Sequence, residues 1–318
     1  MWKWVLGVGL CLAGVAAHSQ SWPLKPVKVV LGFPAGSSGD LIARVMGRRL
    51  GEILGQPIVV ENRAGAGSNI AAEAVVRAPG DGYTLLMGTI ANTINPSLMK
   101  GLPFNFAEDL APVSLVASVP TMLVVHPQLG ANTVQALIAA AKSKPGEILY
   151  GSSGNGTANH LAGELFNTMA GVKMGHVPYK GSNQAVADLL GGRFPVMFAP
   201  ASSVLQHIQA GKLVALASTG PQRSSVAPTL PTIAEAGLAG FDVSVWFGLL
   251  APAATPAEII ERAAGAAAQS LATADVKSQL NAQGIDTVVL GPRDFGRYIR
   301  TETEKWARVV QMSGAKAD

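Results

Sequence analysis

Val27 to Met46 read VKVVLGFPAGSSGDLIARVM, and Glu147 to Phe166 read EILYGSSGNGTANHLAGELF. Each stretch is an apolar β-like run, then a loop of glycine, serine and alanine, then a segment with helical periodicity. A helix N-terminus carries unpaired backbone N–H groups and about half a positive charge. Small loop residues let a ligand approach that backbone closely. Two such ends, far apart in the chain, predict an anion held between two lobes.

Outward from these units, β-like runs alternate with helical periodicity. The expected strands are Val27–Phe33, Pro57–Asn62, Tyr83–Thr89, Met122–His126, Ile148–Gly151, Gly175–Tyr179, Pro195–Ala199, Val214–Ser218 and Val243–Leu250. The helix Asp40–Leu54 repeats Leu41, Ile42, Val45, Met46, Ile53 and Leu54 at helical spacing. This succession predicts an α/β chain with largely parallel sheets covered by helices, whose ligands bind beyond the carboxyl ends of the strands. Pro120 interrupts the apolar stretch Val113–Val125, and a Pro/Ser/Thr-rich segment from Gly220 to Thr232 precedes Val243–Leu250. A chain that leaves near Val119–Leu123 and returns near Val243–Leu250 makes two lobes: 20–121 with 248–318, and 122–247. Near the C-terminus, Thr255-Pro256-Ala257-Glu258 carries a capping-box pattern. The stripe Phe295, Tyr298, Ile299, Trp306, Val309 and Val310 reads as core.

The composition agrees with a folded two-domain protein: 318 residues, 48% apolar and 14% charged. Residues 1–19 carry Lys3, an apolar run from Val5 to Ala17 and Ala17-His18-Ser19, the pattern of a cleaved export signal. That run is shorter than the roughly 20 residues a membrane span needs. Export predicts a periplasmic location. The one cysteine, Cys11, lies inside this segment, which removes disulfides, zinc thiolates and cysteine nucleophiles from the expected chemistry. The net charge of +4 is scattered, and Arg48-Arg49 is the only adjacent basic pair; nucleic-acid binding is not expected.

No catalytic set is legible. Neither Gly36-Ser37-Ser38-Gly39 nor Gly151-Ser152-Ser153-Gly154 has the G-x-S-x-G spacing of a hydrolase elbow. His126, His160, His176 and His207 stand on different elements, without metal-ligand spacing. No metal and no cofactor are expected, and Gly65-Ala66-Gly67 lacks the third glycine of a dinucleotide loop. Ser37, Ser38, Ser153, Asn155 and Thr157 can donate to a carboxylate or cap their helices. Asp40 is placed to cap its helix and shape the loop, because its charge competes with an anion for the same potential. Lys180 can reach an anion or stay solvated. A serine hydrolase pairing Ser153 or Ser38 with His160 or His207 is one competing reading; a nucleotide-dependent enzyme using Gly65–Gly67 is another.

The motifs resemble a known family. Phe33-Pro34-Ala35-Gly36-Ser37-Ser38-Gly39-Asp40, Val60-Glu61-Asn62-Arg63-Ala64-Gly65-Ala66-Gly67, Asp81-Gly82-Tyr83, Ser153-Gly154-Asn155-Gly156-Thr157 with His160-Leu161-Ala162-Gly163-Glu164, Val177-Pro178-Tyr179-Lys180-Gly181 and Pro231-Thr232-Ile233-Ala234-Glu235-Ala236-Gly237 are similar, in this order, to the Bug-type substrate-binding proteins of tripartite tricarboxylate transporters. The resemblance implies a two-lobed periplasmic binding protein of type II-like fold, joined by two crossovers, which is not an enzyme. It implies a monomer that closes on a small carboxylate and delivers it to membrane transporter subunits. A ligand sensor feeding a signalling partner would look the same.

By the same resemblance, the cleft is lined by the loop Phe33–Asp40, with Phe33, Ala35, Gly36, Ser37, Ser38 and Asp40; by Thr89–Thr93, with Thr89 and Asn92; by Ser152, Ser153, Gly154, Asn155, Gly156 and Thr157; and by Tyr179, Lys180 and Gly181, bordered by Ala199–Ser202 and Trp246–Phe247. Backbone N–H groups, hydroxyls and water then hold the ligand, rather than an arginine. Ser37 stands where the family often has glycine, and Ala199 where it often has aspartate. Without that acid to meet a ligand ammonium, the expected ligand is a plain mono- or dicarboxylate or an aromatic acid.

Overall fold

The computed structural model describes residues 22–99, 101–224 and 226–313; the expected export signal lies outside them. Two sheets organise the chain. The first has the order β11-β4-β10-β3-β1-β2, with β1 (Val27–Leu31), β2 (Ile58–Asn62), β3 (Thr84–Thr89), β4 (Leu110–Val119), β10 (Val245–Pro252) and β11 (Asp286–Leu290). The second has the order β7-β6-β8-β5-β9, built from β5 (Thr121–Val125), β6 (Leu149–Ser152), β7 (Gly175–Pro178), β8 (Val196–Pro200) and β9 (Val214–Ser218). Helices α1 (Ser38–Leu54), α2 (Asn69–Val76), α3 (Ile90–Leu98), α4 (Val134–Ser143), α5 (Ala158–Ala170), α6 (Ser182–Leu190), α7 (Ala201–Gln209), α8 (Ala257–Ala272), α9 (Ala274–Asn281) and α10 (Pro292–Ser313) flank them. Among the described residues, no helix is long and apolar enough to cross a membrane.

The two-lobed α/β architecture agrees with the sequence reading, but the sheets are more mixed than expected. Among the described strands, parallel pairs are β1 with β2 and β3, and β6 with β7 and β8. β10 runs antiparallel to β3 and β4, and β5 antiparallel to β8 and β9. β5 and β10 lie next to the crossovers, and the edge strand β11 also runs antiparallel, to β4. β4 passes into β5 through Pro120 alone, so one nearly continuous run serves both sheets. β4 and the short edge strand β11 were not separated out by period alone.

Local chemistry sets the ends of α1. Ser37 Oγ accepts from the Asp40 N–H at 3.4 Å, and Gly55 closes the helix at φ +74°, a conformation that favours glycine. The buried Ile42, Ala43, Met46, Leu50 and Leu54 face the first sheet. In the second sheet, parity divides the residues between two cores. Leu123, Val125, Val196 and Phe198 join the large cluster, while Met122, Val124, Met197 and Ala199 join a second one with Val186, Leu189 and Val204 of α6 and α7.

The two crossovers lie side by side, with Val119 of β4 paired to Val245 of β10. Thr219, fully buried, ties them together. Its backbone N–H donates to the Thr121 carbonyl at 2.9 Å, and its hydroxyl reaches the Val243 carbonyl at 2.6 Å. The C-terminal stripe is core, as expected: Phe295, Ile299, Trp306 and Val310 are buried.

Candidate functional site

Five βα units place their loops at one cleft between the sheets. β1 leads to α1, β3 to α3, β6 to α5, β7 to α6 and β8 to α7. The caps or first-turn residues of all five helices line a single cavity: Ser37, Ser38 and Gly39; Thr89, Ile90 and Ala91; Thr157, Ala158 and Asn159; Gly181 and Ser182; and Pro200. Phe33, Pro34, Ser153, Val245 and Phe247 complete its wall, which encloses about 530 Å³ of space including its mouth. Among the described residues, none lining it is charged. Backbone N–H groups and helix ends are the parts of this wall that carry positive partial charge.

A wider outer chamber shares Phe33, Pro34, Ser153 and Thr157 with this cavity. Gly65–Gly67, Ser97–Met99, Gly154, Asn155, Tyr179 and Lys180 border it. Lys180 is exposed and is the one charged side chain on either wall among the described residues. The lobes also meet directly across the cleft, where Ser38 Oγ and Ser202 Oγ share a hydrogen bond of 2.7 Å.

The first loop is braced from behind. Asp40 Oδ2 accepts from the Gly36 N–H at 3.0 Å, Oδ1 accepts from Asn62 Nδ2 at 3.0 Å, and Arg44 Nε reaches both oxygens at 3.0 Å. Asn62 Nδ2 donates in addition to the Phe33 carbonyl at 3.0 Å. Burial alone would raise the Asp40 pKa, but the bonds from Arg44, Gly36 and Asn62 outweigh it and hold the carboxyl below its ordinary value. Asp40 is thus an ionised, neutralised strut outside the cavity wall, which corrects its expected place in the lining and leaves it the loop-shaping part.

The second loop is tied within its own lobe. Ser153 Oγ donates to Asn159 Oδ1 at 2.7 Å, and Asn159 Nδ2 donates to the Phe198 carbonyl. Thr157 Oγ1 donates to the Gly154 carbonyl at 2.7 Å. The serines of the hydrolase reading are committed to these partners: Ser153 to Asn159, and Ser38 to Ser202.

Of the expected residues, the structure brings Phe33, Ser37, Ser38, Thr89, Ser153, Thr157 and Gly181 to the inner cavity, and Gly154, Asn155, Tyr179 and Lys180 to the outer chamber. Several others it places elsewhere. Trp246 faces away, edge-on to Phe295 and Tyr298 at 5.6 and 5.9 Å, because its neighbours Val245 and Phe247 take the cleft side of β10. Ala199 points into the second core for the same reason, and Pro200 lines the cavity instead. Ser152 is buried against His176. Gly156 is buried and backs onto α3, where a Cβ would meet Asn95 Oδ1 at 2.5 Å. Asn92 is buried with its Oδ1 accepting from the Thr89 N–H at 3.0 Å. Ala35 and Gly36 form the exposed tip of their loop. Ala158, Asn159, Ser182 and Val245 were not anticipated. The first three are simply the next residues into helices whose loops were recognised.

Residues 42–315 match the family described as the tripartite tricarboxylate transporter family receptor. The chain belongs to this family. As a member of the tripartite tricarboxylate transporter receptors, it is 39% identical over 316 residues to protein BugT of Bordetella pertussis, covering 98% of this chain and 97% of that one. Among solved structures, R. palustris Rpa4515 with adipate is 35% identical and covers 93% of this chain and 100% of its own, with a TM-score of 0.88. MatC from Rhodopseudomonas palustris, solved with bound malate, is 28% identical over 91% of this chain and 100% of its own, with a TM-score of 0.84. The receptors of this family are binding proteins of the periplasm, and the α/β lobes described above are their fold.

Proposed function

We propose that this receptor captures a small carboxylate in the inter-lobe cleft and delivers it to the membrane subunits of a tripartite tricarboxylate-type transporter, acting as a periplasmic monomer without catalysis. The observation that carries the reading is the convergence of five helix N-termini on a cavity whose described lining holds no charged side chain. Each such end contributes a few tenths to about 2 kcal/mol toward a partly buried anion. Desolvation strengthens every N–H···O⁻ bond made there. Two of the helices belong to the first sheet's lobe and three to the second's, so a ligand touching both favours closure. On this reading the lobes are 20–121 with 248–318 and 122–247, and residues 1–19 direct export.

The walls narrow the ligand class. Phe33, Pro34, Ile90, Val245 and Phe247 offer apolar surface, and no carboxylate is present to pair with a ligand ammonium. A plain mono- or dicarboxylate or an aromatic acid fits, with Lys180 at the outer chamber available to a second carboxylate. Titration calorimetry with adipate, succinate, benzoate and glutamate tests this. Adipate, succinate or benzoate is expected to bind more tightly than glutamate, and Ser153→Asp is expected to weaken that binding by more than about tenfold through like-charge repulsion without lowering secondary-structure content. Binding of none of the four, or a preference for glutamate, would overturn the proposal.

A further inference from the structure

Beneath the second loop, on the side away from the cavity, three aromatic rings stack in a column. His160 of α5 lies over His176 of β7 with centroids 4.0 Å apart and planes at 15°, and Tyr150 of β6 lies against His176 at 5.0 Å and 27°. The rings touch the loop at two points. The Gly156 N–H donates to His160 Nδ1 at 3.2 Å. The His176 Nε2 shares a 2.7 Å hydrogen bond with Ser152 Oγ, which accepts from the Gly154 N–H at 3.1 Å and lies 3.2 Å from the Gly154 carbonyl as a donor. Gly154 and Gly156 have φ of +129° and +75°, outside the region most residues adopt. The loop that presents Ser153 and Thr157 thus follows a backbone path held by acceptors on its buried side.

We propose that His160 and His176 are positioning residues of the ligand loop: a stacked imidazole pair that fixes the Gly154 and Gly156 amides and, through them, sets Ser153 and Thr157 on the cavity wall. The function requires a nitrogen acceptor at His160 Nδ1 and a hydrogen-bonding nitrogen at His176 Nε2, rather than apolar volume. A protonated Nδ1 cannot accept the Gly156 N–H, so His160 carries its proton on Nε2. Burial, followed by the neighbouring His160, pushes the His176 pKa down to about 3, which keeps that ring uncharged at neutral pH. Tyr150 is anchored from the far side, its hydroxyl donating to Glu164 Oε1 at 2.5 Å.

The test compares acceptor-retaining with acceptor-deleting variants. Asparagine can place an acceptor near the position of Nδ1, and glutamine near that of Nε2. Amide-resolved hydrogen exchange of the protein without added ligand is expected to show the Gly156 amide exchanging about tenfold faster or more in His160→Leu and close to wild type in His160→Asn. The Gly154 amide should behave likewise in His176→Leu against His176→Gln, and Ser152→Ala should expose Gly154 alone. Calorimetry with adipate should follow the same order. The inference rests on the loop being part of the ligand site, but exchange is read without ligand. Failure of wild type to bind any carboxylate would therefore sink the functional reading while the exchange data still decide this one. Equal protection of both amides in the leucine and amide variants would overturn it, and if the leucine variants do not fold, an unchanged Gly154 amide in Ser152→Ala does the same.

Discussion

His176 occupies a position where a charge is costly, and this gives the protein an acid sensitivity that can be located. The ring titrates near 6.5 when unfolded and near 3 when folded. Between those values the unfolded chain binds the extra proton, so stability is full above about pH 6.5 and is lost as pH falls toward 3, by up to about 1.4 kcal/mol per pH unit. Thermal midpoints are expected to drop through this window, and His176→Gln should remove part of the slope. Superimposable pH profiles for the two proteins would refute this. Asp40 acts in the same direction at lower pH. Its carboxyl is held below the ordinary value, so its contribution is present above that value and lost as the folded carboxylate protonates.

At the scale of the element, glycines decide how closely helices approach sheets. Gly163 lets α5 lie on β6: a Cβ there would come within 2.2 Å of Tyr150 Cε2 and 2.4 Å of its Cζ. The ring is pinned by its hydroxyl and cannot swing away. Gly163→Ala is expected to cost about 1–3 kcal/mol, measured by denaturant unfolding. Gly265 of α8 is exposed and has nothing within 4 Å of an added Cβ, so Gly265→Ala should instead stabilise by about 0.5–1 kcal/mol. Equal effects in the two variants would show that α5 has room to move. The start of α8 shows the limit of local motifs. Thr255 Oγ1 makes no hydrogen bond and the helix begins at Ala257 behind Pro256, so the capping-box pattern is not used.

The whole molecule is two lobes tied by paired crossovers and clasped at the cleft. Thr219 ties β5 to the return segment at Val243, where the two passages run side by side, and the proposed closure would turn about this point. Ser38 and Ser202 meet close to these passages, since the N–H of Ala201 donates to the Pro120 carbonyl at 2.7 Å, and Ser202 does not line the cavity. Ser202→Ala therefore removes a lobe-to-lobe bond without removing a cavity-wall group. A hydrogen bond worth about 0.5–1.5 kcal/mol predicts a roughly 2–10-fold loss of carboxylate affinity in calorimetry through the closure equilibrium alone. Unchanged affinity would mean that the pair adds nothing to closure.

The βα units, the Gly/Ser loops, Ser37 and Thr157 among the possible caps, and the core stripe of α10 were legible in the sequence, because each is written in residues near one another in the chain. Asp40 as a brace was legible too, since a carboxylate at a helix start is a local electrostatic matter. What the sequence left open was direction. Trp246 and Ala199 look like candidate wall residues in a string of apolar letters, yet strand pairing turns them into the cores and sends Val245, Phe247 and Pro200 to the cleft. The same pairing stacks His160 on His176 beneath the loop, although they sit on different elements. Side-chain parity along a strand is fixed only by the register it adopts with its neighbours. The local sequence therefore determined which segments end in anion-seeking helix termini, and the packing of the two sheets decided that five of them meet around one cavity.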